Sequence, residues 1–371
     1  MQDETRAAAS TQQQGIRVAL RYDLRAPALG AQIRSLYSAC VEQCEAADGW
    51  GFERVFLAEH HGSDDRYCPS PIAVASAVAS RTTRLRLSPA AVIAPLHHPL
   101  RIAEDLAVLD LLSDGRLDVI LGAGYVDAEF AMFGADISRR GAAMSEVIAV
   151  LKKAWTGEPF EFRGQRIRVT PRPAQFPRPD IYLGGMSRPA ALRAAREADG
   201  FWPINPLLTE IYVQERRRLG LPDGVIAPVG YAVVPFRSPR FVLVTEDPER
   251  DWPHILPHAL HETNEYARML TAAPGPSRAN VPKGFTAGAL TADDIRSGGT
   301  YMVVTPEECI ELYRPLAGLG GMVTLHPLLA GLDPGLSWSS LTLFAQRVLP
   351  ELRAHAVTST ELSAPTGTRQ K

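Results

Sequence analysis

The chain has 371 residues, 46% of them apolar and 22% charged, which is ordinary for a globular protein with enough material for a large core. Its 39 Lys and Arg against 41 Asp and Glu leave a net charge of −2, so no basic surplus points to nucleic acid or another polyanion. No apolar stretch reaches the roughly 18 residues that span a bilayer, and the four cysteines (Cys40, Cys44, Cys68, Cys309) form no CxxC pair, so a cytoplasmic protein with free thiols and no membrane partner is expected.

Residues 1–14 are polar and lack the basic start and apolar run of a signal peptide, so they read as a tail. From Ile16 onward short apolar runs alternate with longer amphipathic segments, the pattern of βα units around a parallel sheet. Strands are expected at 17–22, 54–58, 85–93, 117–121, 181–184, 201–204, 225–234 and 322–326, and eight of them favour closure into a (β/α)8 TIM barrel. The spacing predicts helices at 102–112, closed by Asp114-Gly115, and at 144–155, stopping at Gly157. Residues 160–169, with Gly164 near the centre, read as an insertion hairpin. At 271–300 the composition shifts to Gly, Pro, Ala and Ser, too long for a βα loop, so a long mobile loop or lid is expected. One domain thus covers 15–354, between tails at 1–14 and 355–371.

In a parallel barrel the chemistry sits at the carboxyl ends of the strands, so polar residues directly after an apolar run are candidates. Glu59-His60-His61 follows Val55-Phe56-Leu57-Ala58. One imidazole there suits general acid–base work near neutral pH while the other holds a ligand or backbone; a pair of histidines bonded to neighbouring loops fits equally well. At Ala90-Ala91 small residues end a strand and let a planar ring approach, unless the alanines are simply core. Gly122-Ala123-Gly124-Tyr125 ends the next strand in glycines but lacks the GxGxxG spacing and acidic ribose partner of a Rossmann site. Gly184-Gly185-Met186-Ser187 opens a helix near Arg188, an arrangement for an anion such as phosphate and equally for an ordinary N-cap by Ser187. His254, His258 and His261 share one helix face, but Pro257 and the lack of a carboxylate partner favour a solvated or lid-facing helix; no metal site is expected and no HExxH motif occurs. Trp155, Trp202 and Trp252 read as packing residues.

Taken in order, Ala58-Glu59-His60-His61, the run 90–99, Ala103-Glu104-Asp105 with Leu109-Asp110 and Ser113-Asp114-Gly115-Arg116, Gly184-Gly185-Met186-Ser187, Thr305-Pro306-Glu307-Glu308 and Val348-Leu349-Pro350 resemble the bacterial luciferase-like flavin monooxygenase superfamily. The resemblance spans Gly15 to about Ala354. It implies a TIM-like barrel, a homodimer, reduced FMN supplied by a partner flavin reductase, and O2 used to oxidise a small or carrier-tethered organic substrate, as in specialised metabolism. By position it implies that His60 is the catalytic histidine beside the flavin, with Glu59 and His61 supporting it. It further implies a non-proline cis peptide at Ala90-Ala91 under the ring, a phosphate contact at Ser187, and a covering loop at 271–300 that keeps water out.

Ala123 departs from luciferase proper, which carries an Arg there to hold flavin phosphate. Gly122-Ala123-Gly124-Tyr125, Phe133-Gly134, Arg140 and Trp155-Thr156-Gly157 are closer to the deazaflavin-dependent branch, whereas the double histidine leans toward the FMN enzymes. The rivals are therefore a deazaflavin-dependent hydride-transfer oxidoreductase and a non-catalytic flavin-binding barrel.

Overall fold

The computed structural model describes residues 16–203, 206–226, 239–272, 288, 290–317 and 321–361. Its first half runs β1 (Arg17–Tyr22), α1 (Ile33–Trp50), β2 (Arg54–Leu57), α2 (Pro71–Ala79), β3 (Arg86–Ile93), α3 (Pro99–Leu112) and β4 (Val119–Gly122). Each strand lies parallel to the next, with Ala19 opposite Arg54 and Arg54 opposite Arg86. Helices cover the outer face of such a sheet, so β1 and β2 are buried almost throughout. The helix ends are written in the sequence. Gly51, at φ 75°, lets the N–H of Phe52 turn back onto the Ala47 carbonyl at 2.9 Å, and Gly115, at the same φ, donates to the Asp110 carbonyl at 3.0 Å.

The chain continues through α4 (Asp127–Met132), α5 (Arg140–Ala154), the antiparallel hairpin of β5 (Phe160–Phe162) and β6 (Gln165–Ile167), β7 (Ile181–Gly185), α6 (Arg188–Glu197), β8 (Gly200–Pro203), α7 (Pro206–Arg218) and β9 (Val225–Ile226). Then come β10 (Phe241–Val244), α8 (Pro248–Ala272), α9 (Ala292–Ser297), β11 (Tyr301–Val304), α10 (Pro306–Ala317), β12 (Met322–Leu325), α11 (Pro334–Leu343) and α12 (Leu349–Glu361). The order β12–β1–β2–β3–β4–β7–β8–β9 makes one eight-stranded parallel sheet, and β10 pairs with β11 separately.

This sheet is curled. Ala19, Phe56, Ala91, Ile120, Tyr182, Trp202 and Met322, one from each of seven strands, belong to a single side-chain cluster. Laid flat, seven strands would spread these residues over about 29 Å at the usual spacing of about 4.8 Å, so they meet only because the sheet bends back on itself. A separate apolar cluster, including Phe241, Trp252, Ile255, Ile295 and Tyr301, binds α8 and α9 to β10 and β11.

Four expectations change. The short apolar runs at β10 and β11 are strands that the sequence pattern did not single out. Of the strand expected at 225–234, the described part is Val225–Ile226, and 227–234 lies outside the described residues. Much of the 271–300 loop also lies outside them, but its far end folds as α9, started by a capping box in which Thr291 and Asp294 exchange hydrogen bonds. Finally, α12 runs to Glu361, so the stretch from 355 begins as helix rather than tail.

Candidate active site

The carboxyl ends of β3, β4 and β7 form a floor without side chains. The peptide between Ala90 and Ala91 is cis. A Cβ on Gly122 would stand 2.9 Å from the Ala91 methyl, so that position is kept bare by Ala91, whereas one on Gly184 would stand 3.8 Å from the same methyl, an ordinary contact. Gly124, at φ 72°, turns the chain where a Cβ would strike Ile93 and Phe130 at 2.8 Å. Gly185 is pressed on Ala190, where a Cβ would come within 2.5 Å, and Ala123 packs against the main core. Met186 and Ser187 are half-buried at the head of α6. Ser187 occupies the N-cap position, but its hydroxyl makes no bond to the helix, unlike an ordinary cap. That hydroxyl and the first-turn N–H groups thus suit an anion.

Beside the floor, β2 delivers Glu59, His60 and His61 in the order expected but with different partners. His60 is buried, with Nδ1 2.7 Å from Glu129 Oε1 and Nε2 3.3 Å from the Tyr125 hydroxyl. A carboxylate at Nδ1 keeps the ring proton there and leaves Nε2 as the acceptor facing the cleft. The same Glu129 oxygen accepts the His61 backbone N–H at 2.9 Å, so one atom fixes both ring and loop. Tyr67 stands edge-on to the imidazole at 4.8 Å and Tyr125 at 5.5 Å.

Glu59, expected to support His60, turns instead to the other side. It accepts from His61 Nε2 at 2.8 Å, His97 Nε2 at 2.9 Å and the Ile93 N–H at 2.9 Å, tying the ends of β2 and β3 together. Burial pushes its carboxyl up, but the bonds from His61, His97 and Ile93 outweigh burial and hold it below its ordinary range. The physical reason for the correction is alternation. Successive side chains after a strand point to opposite sides, so Glu59 and His60 cannot share a partner. Glu129, on the six-residue α4, is the supporting acid, and the sequence carries no local signal for it.

Across the cleft lies a buried ionic cluster not foreseen at all. Arg21 donates to the Tyr266 hydroxyl at 2.7 Å and lies 3.5 Å from Glu262. Arg25 pairs with Asp65 and sits 3.4 Å from Asp23, while Arg240 lies 2.9 Å from Glu262. Burial raises the Asp23 and Glu262 carboxyls, yet His326 and Arg25 around Asp23, and Arg240 and Arg21 around Glu262, hold both below their ordinary range. Asp23, Glu262 and His326 also bring potential metal-ligating atoms within 4.8 Å of one another. The Arg21 guanidinium lies 3.4 Å from His326 Nδ1 and competes for that place. The acids are already neutralised by the chain's own cations, so an ion-pair network accounts for the cluster.

The histidine face of α8 is likewise not solvated as expected. His254 is exposed, but His258 is buried with Nδ1 2.8 Å from the Ala330 carbonyl, and His261 Nε2 lies 2.9 Å from Asp65. Trp202 packs as expected, meeting Phe56 at 5.0 Å inside the curl. Trp155 donates its indole N–H to the Ala103 carbonyl at 3.0 Å and is core. Among the described residues no helix is long and apolar enough to cross a membrane.

A curled parallel sheet with a carboxylate-held histidine and a free N-cap hydroxyl at its carboxyl edge has its candidate residues where parallel α/β folds carry their sites. The model of the luciferase-like monooxygenase family matches residues 18–322, and the chain belongs to that family. It is similar to the oxygenase component of flavin-dependent trigonelline monooxygenase from Acinetobacter baylyi, 30% identical over 40% of this chain and 43% of that protein. The chain thus spans about half the length of such curated relatives or less: 53% and 48% of two uncharacterised proteins of Sinorhizobium fredii. It is also similar to an F420-dependent glucose-6-phosphate dehydrogenase of Nakamurella multipartita, 28% identical over 87% of this chain and 97% of that one. Among solved structures, the oxygenating constituent of 3,6-diketocamphane monooxygenase from Pseudomonas putida, in complex with FMN, shares the fold. Its TM-score is 0.64 at 17% identity, covering 91% of this chain and 98% of that one.

Proposed function

We propose that the chain is the oxygenase of a two-component monooxygenase, with its curled sheet forming a (β/α)8 barrel. It takes reduced FMN from a separate reductase and uses O2 to oxidise a small or carrier-tethered organic molecule. The observation that carries this reading is the floor, where Gly122 is held bare against Ala91 with Gly184 beside it, a surface of small residues that suits the face of a flat ring. A reduced flavin bound there supplies the electrons that activate O2.

The chain's own residues do the rest. The Ser187 hydroxyl and the start of α6 hold the phosphate. His60 takes a proton at Nε2 and can then return it, and Glu129 steadies the imidazolium formed in between. Glu59, gripping His61, His97 and the Ile93 N–H, keeps the loop in register over the floor. The aromatic rings of Phe56 and Trp202 exclude water from below.

One observation favours a second reading, deazaflavin-dependent hydride transfer. Ala123 stands where luciferase proper carries a phosphate-holding Arg, and it packs into the core instead. Anaerobic titration of the full chain with reduced FMN and with the reduced deazaflavin separates the two. Binding of reduced FMN, lost in Gly122→Val without loss of fold, supports the proposal; binding of the deazaflavin alone overturns it. His60→Ala tests the third possibility, since a non-catalytic barrel loses no activity with it.

A further inference from the structure

Two tyrosines stand edge-on to the His60 ring, Tyr67 at 4.8 Å and Tyr125 at 5.5 Å, but their hydroxyls go to different places. Tyr67 turns away to the Tyr266 hydroxyl, 3.1 Å distant, which also accepts from Arg21. Tyr125 turns toward the histidine and lies 3.3 Å from Nε2. The direction of that bond follows from the other side of the ring. Glu129 Oε1 accepts the His61 N–H, and His60 Nδ1, 2.7 Å from the same oxygen, carries the imidazole proton. Nε2 is left with a lone pair, so the Tyr125 O–H is the donor. A bond of this kind is long in an empty site and shortens when a reactant is bound.

Among the described residues Nε2 has no other partner, and neither has the Tyr125 hydroxyl. The basic nitrogen is thus covered by a phenol whose oxygen can still accept a hydrogen bond. Tyr125 directly follows Gly122-Ala123-Gly124 and is half-buried, so it stands at the edge of the floor. Burial raises its hydroxyl above the ordinary range, Tyr266 and Glu129 raise it further, and Arg25 and Arg240 pull the other way. Glu129 belongs to one wall of the cleft, and Tyr266, Arg25 and Arg240 belong to the other. A group that feels all four lies between the walls. It also stays protonated near neutral pH, which suits it to pass a proton on without keeping a charge.

We infer that Tyr125 is a further catalytic residue, whose hydroxyl meets the bound reactant while His60 works through it. The inference rests on the cleft being the catalytic site proposed above. As Tyr125 gives its O–H proton to Nε2, its oxygen takes one from the reactant, so one proton moves along the chain and the tyrosine ends neutral. The imidazolium then faces Glu129, and the reverse sequence hands the proton back. No electrons move in this step.

Nitrogen-15 NMR of the full chain labelled at histidine, without flavin, tests the contact. Tyr125→Phe keeps the ring against His60 and removes only the hydroxyl. The Nε2 signal should move to the position of an unbonded nitrogen while Nδ1 stays, and Tyr67→Phe should move neither. An Nε2 signal that Tyr125→Phe leaves in place overturns the inference. So does an unbonded Nε2 in the unaltered chain, which decides the matter should the variant fail to fold. The relay itself is read without substrate, because reduced FMN and O2 on the full chain give FMN and H2O2, carrying protons from flavin to oxygen. Tyr125→Phe should slow this about tenfold or more and abolish its solvent deuterium isotope effect, with FMN affinity unchanged. His60→Ala should cost as much, and adding Tyr125→Phe to it should cost nothing further, as for groups that act as a unit. Losses that multiply, or a rate untouched by Tyr125→Phe, overturn the relay. A chain that takes up no FMN removes the flavin reading instead, and the Nε2 signal alone then decides for or against the tyrosine.

Discussion

At the amino ends of β2 and β3, Arg54 and Arg86 close on Asp118 with bonds of 3.0 and 2.6 Å, and Ser88 adds another at 2.8 Å. At the carboxyl ends, the larger set of Arg21, Arg25 and Arg240 with Asp23, Asp65 and Glu262 has a different outcome. Among the described residues no buried side-chain polar atom of the Asp118 group lacks a hydrogen bond, whereas Asp23 Oδ2, Asp65 Oδ1, Glu262 Oε1, Glu129 Oε2 and His326 Nε2 have none. Each such atom costs about 1–3 kcal/mol of lost hydration, which a fold sustains where a ligand completes the set. On the function proposed above, the satisfied end serves stability and the unsatisfied end serves binding, a division of labour known from parallel α/β folds.

That contrast can be broken in four ways. The largest effect belongs to Glu129→Gln, which leaves His60 in place but removes the charge behind it. Turnover should fall about a hundredfold or more with flavin affinity and thermal midpoint unchanged, and a loss under about threefold removes the positioning role. Asp118→Asn at the other end should instead cost about 3 kcal/mol in urea unfolding while turnover per folded molecule stays the same. An equal loss of turnover there would mean that the two ends are not separate.

Asp65 supplies a smaller effect through pH. Burial raises its carboxyl, but hydrogen bonds from His261 and the Arg25 charge bring it down to about 2. A carboxyl depressed by folding stabilises at pH above its unfolded value near 4, and that contribution, about 2 kcal/mol, disappears as pH falls from about 4 to about 2. Acid unfolding of Asp65→Asn should lack this limb; an unchanged limb assigns it elsewhere. The smallest effect is Arg217→Gln, whose thermal midpoint should match that of the unaltered chain because both partners are open to solvent.

Much of the frame was legible in the residues. The strand at Arg17–Tyr22 has the expected bounds and the helix at Pro99–Leu112 starts only three residues early, because long periodic runs punctuated by Gly and Pro leave little choice. Phe241–Val244 and Tyr301–Val304 were not, since a four-residue apolar run has no periodicity of its own. The floor at Ala90, Ala91, Gly122 and Gly184 was legible because close approach demands small residues whatever lies above. Glu129 was not, because its partner is 69 residues away and one acid on a short helix resembles any other. Arg21 was hidden for a different reason, as an arginine in an alternating strand reads as outward-facing, whereas the curl turns it inward onto Tyr266.

The pairing of β1 with β12 has a kinetic consequence. Arg21 and His326, which meet in the cleft, are 305 residues apart, so nearly the whole chain must leave the ribosome before this wall exists. Until β12 docks, β1 presents one naked edge to other chains, and any truncation before Met322 makes that state permanent. Such forms should collect as aggregates rather than as soluble enzymes of low activity.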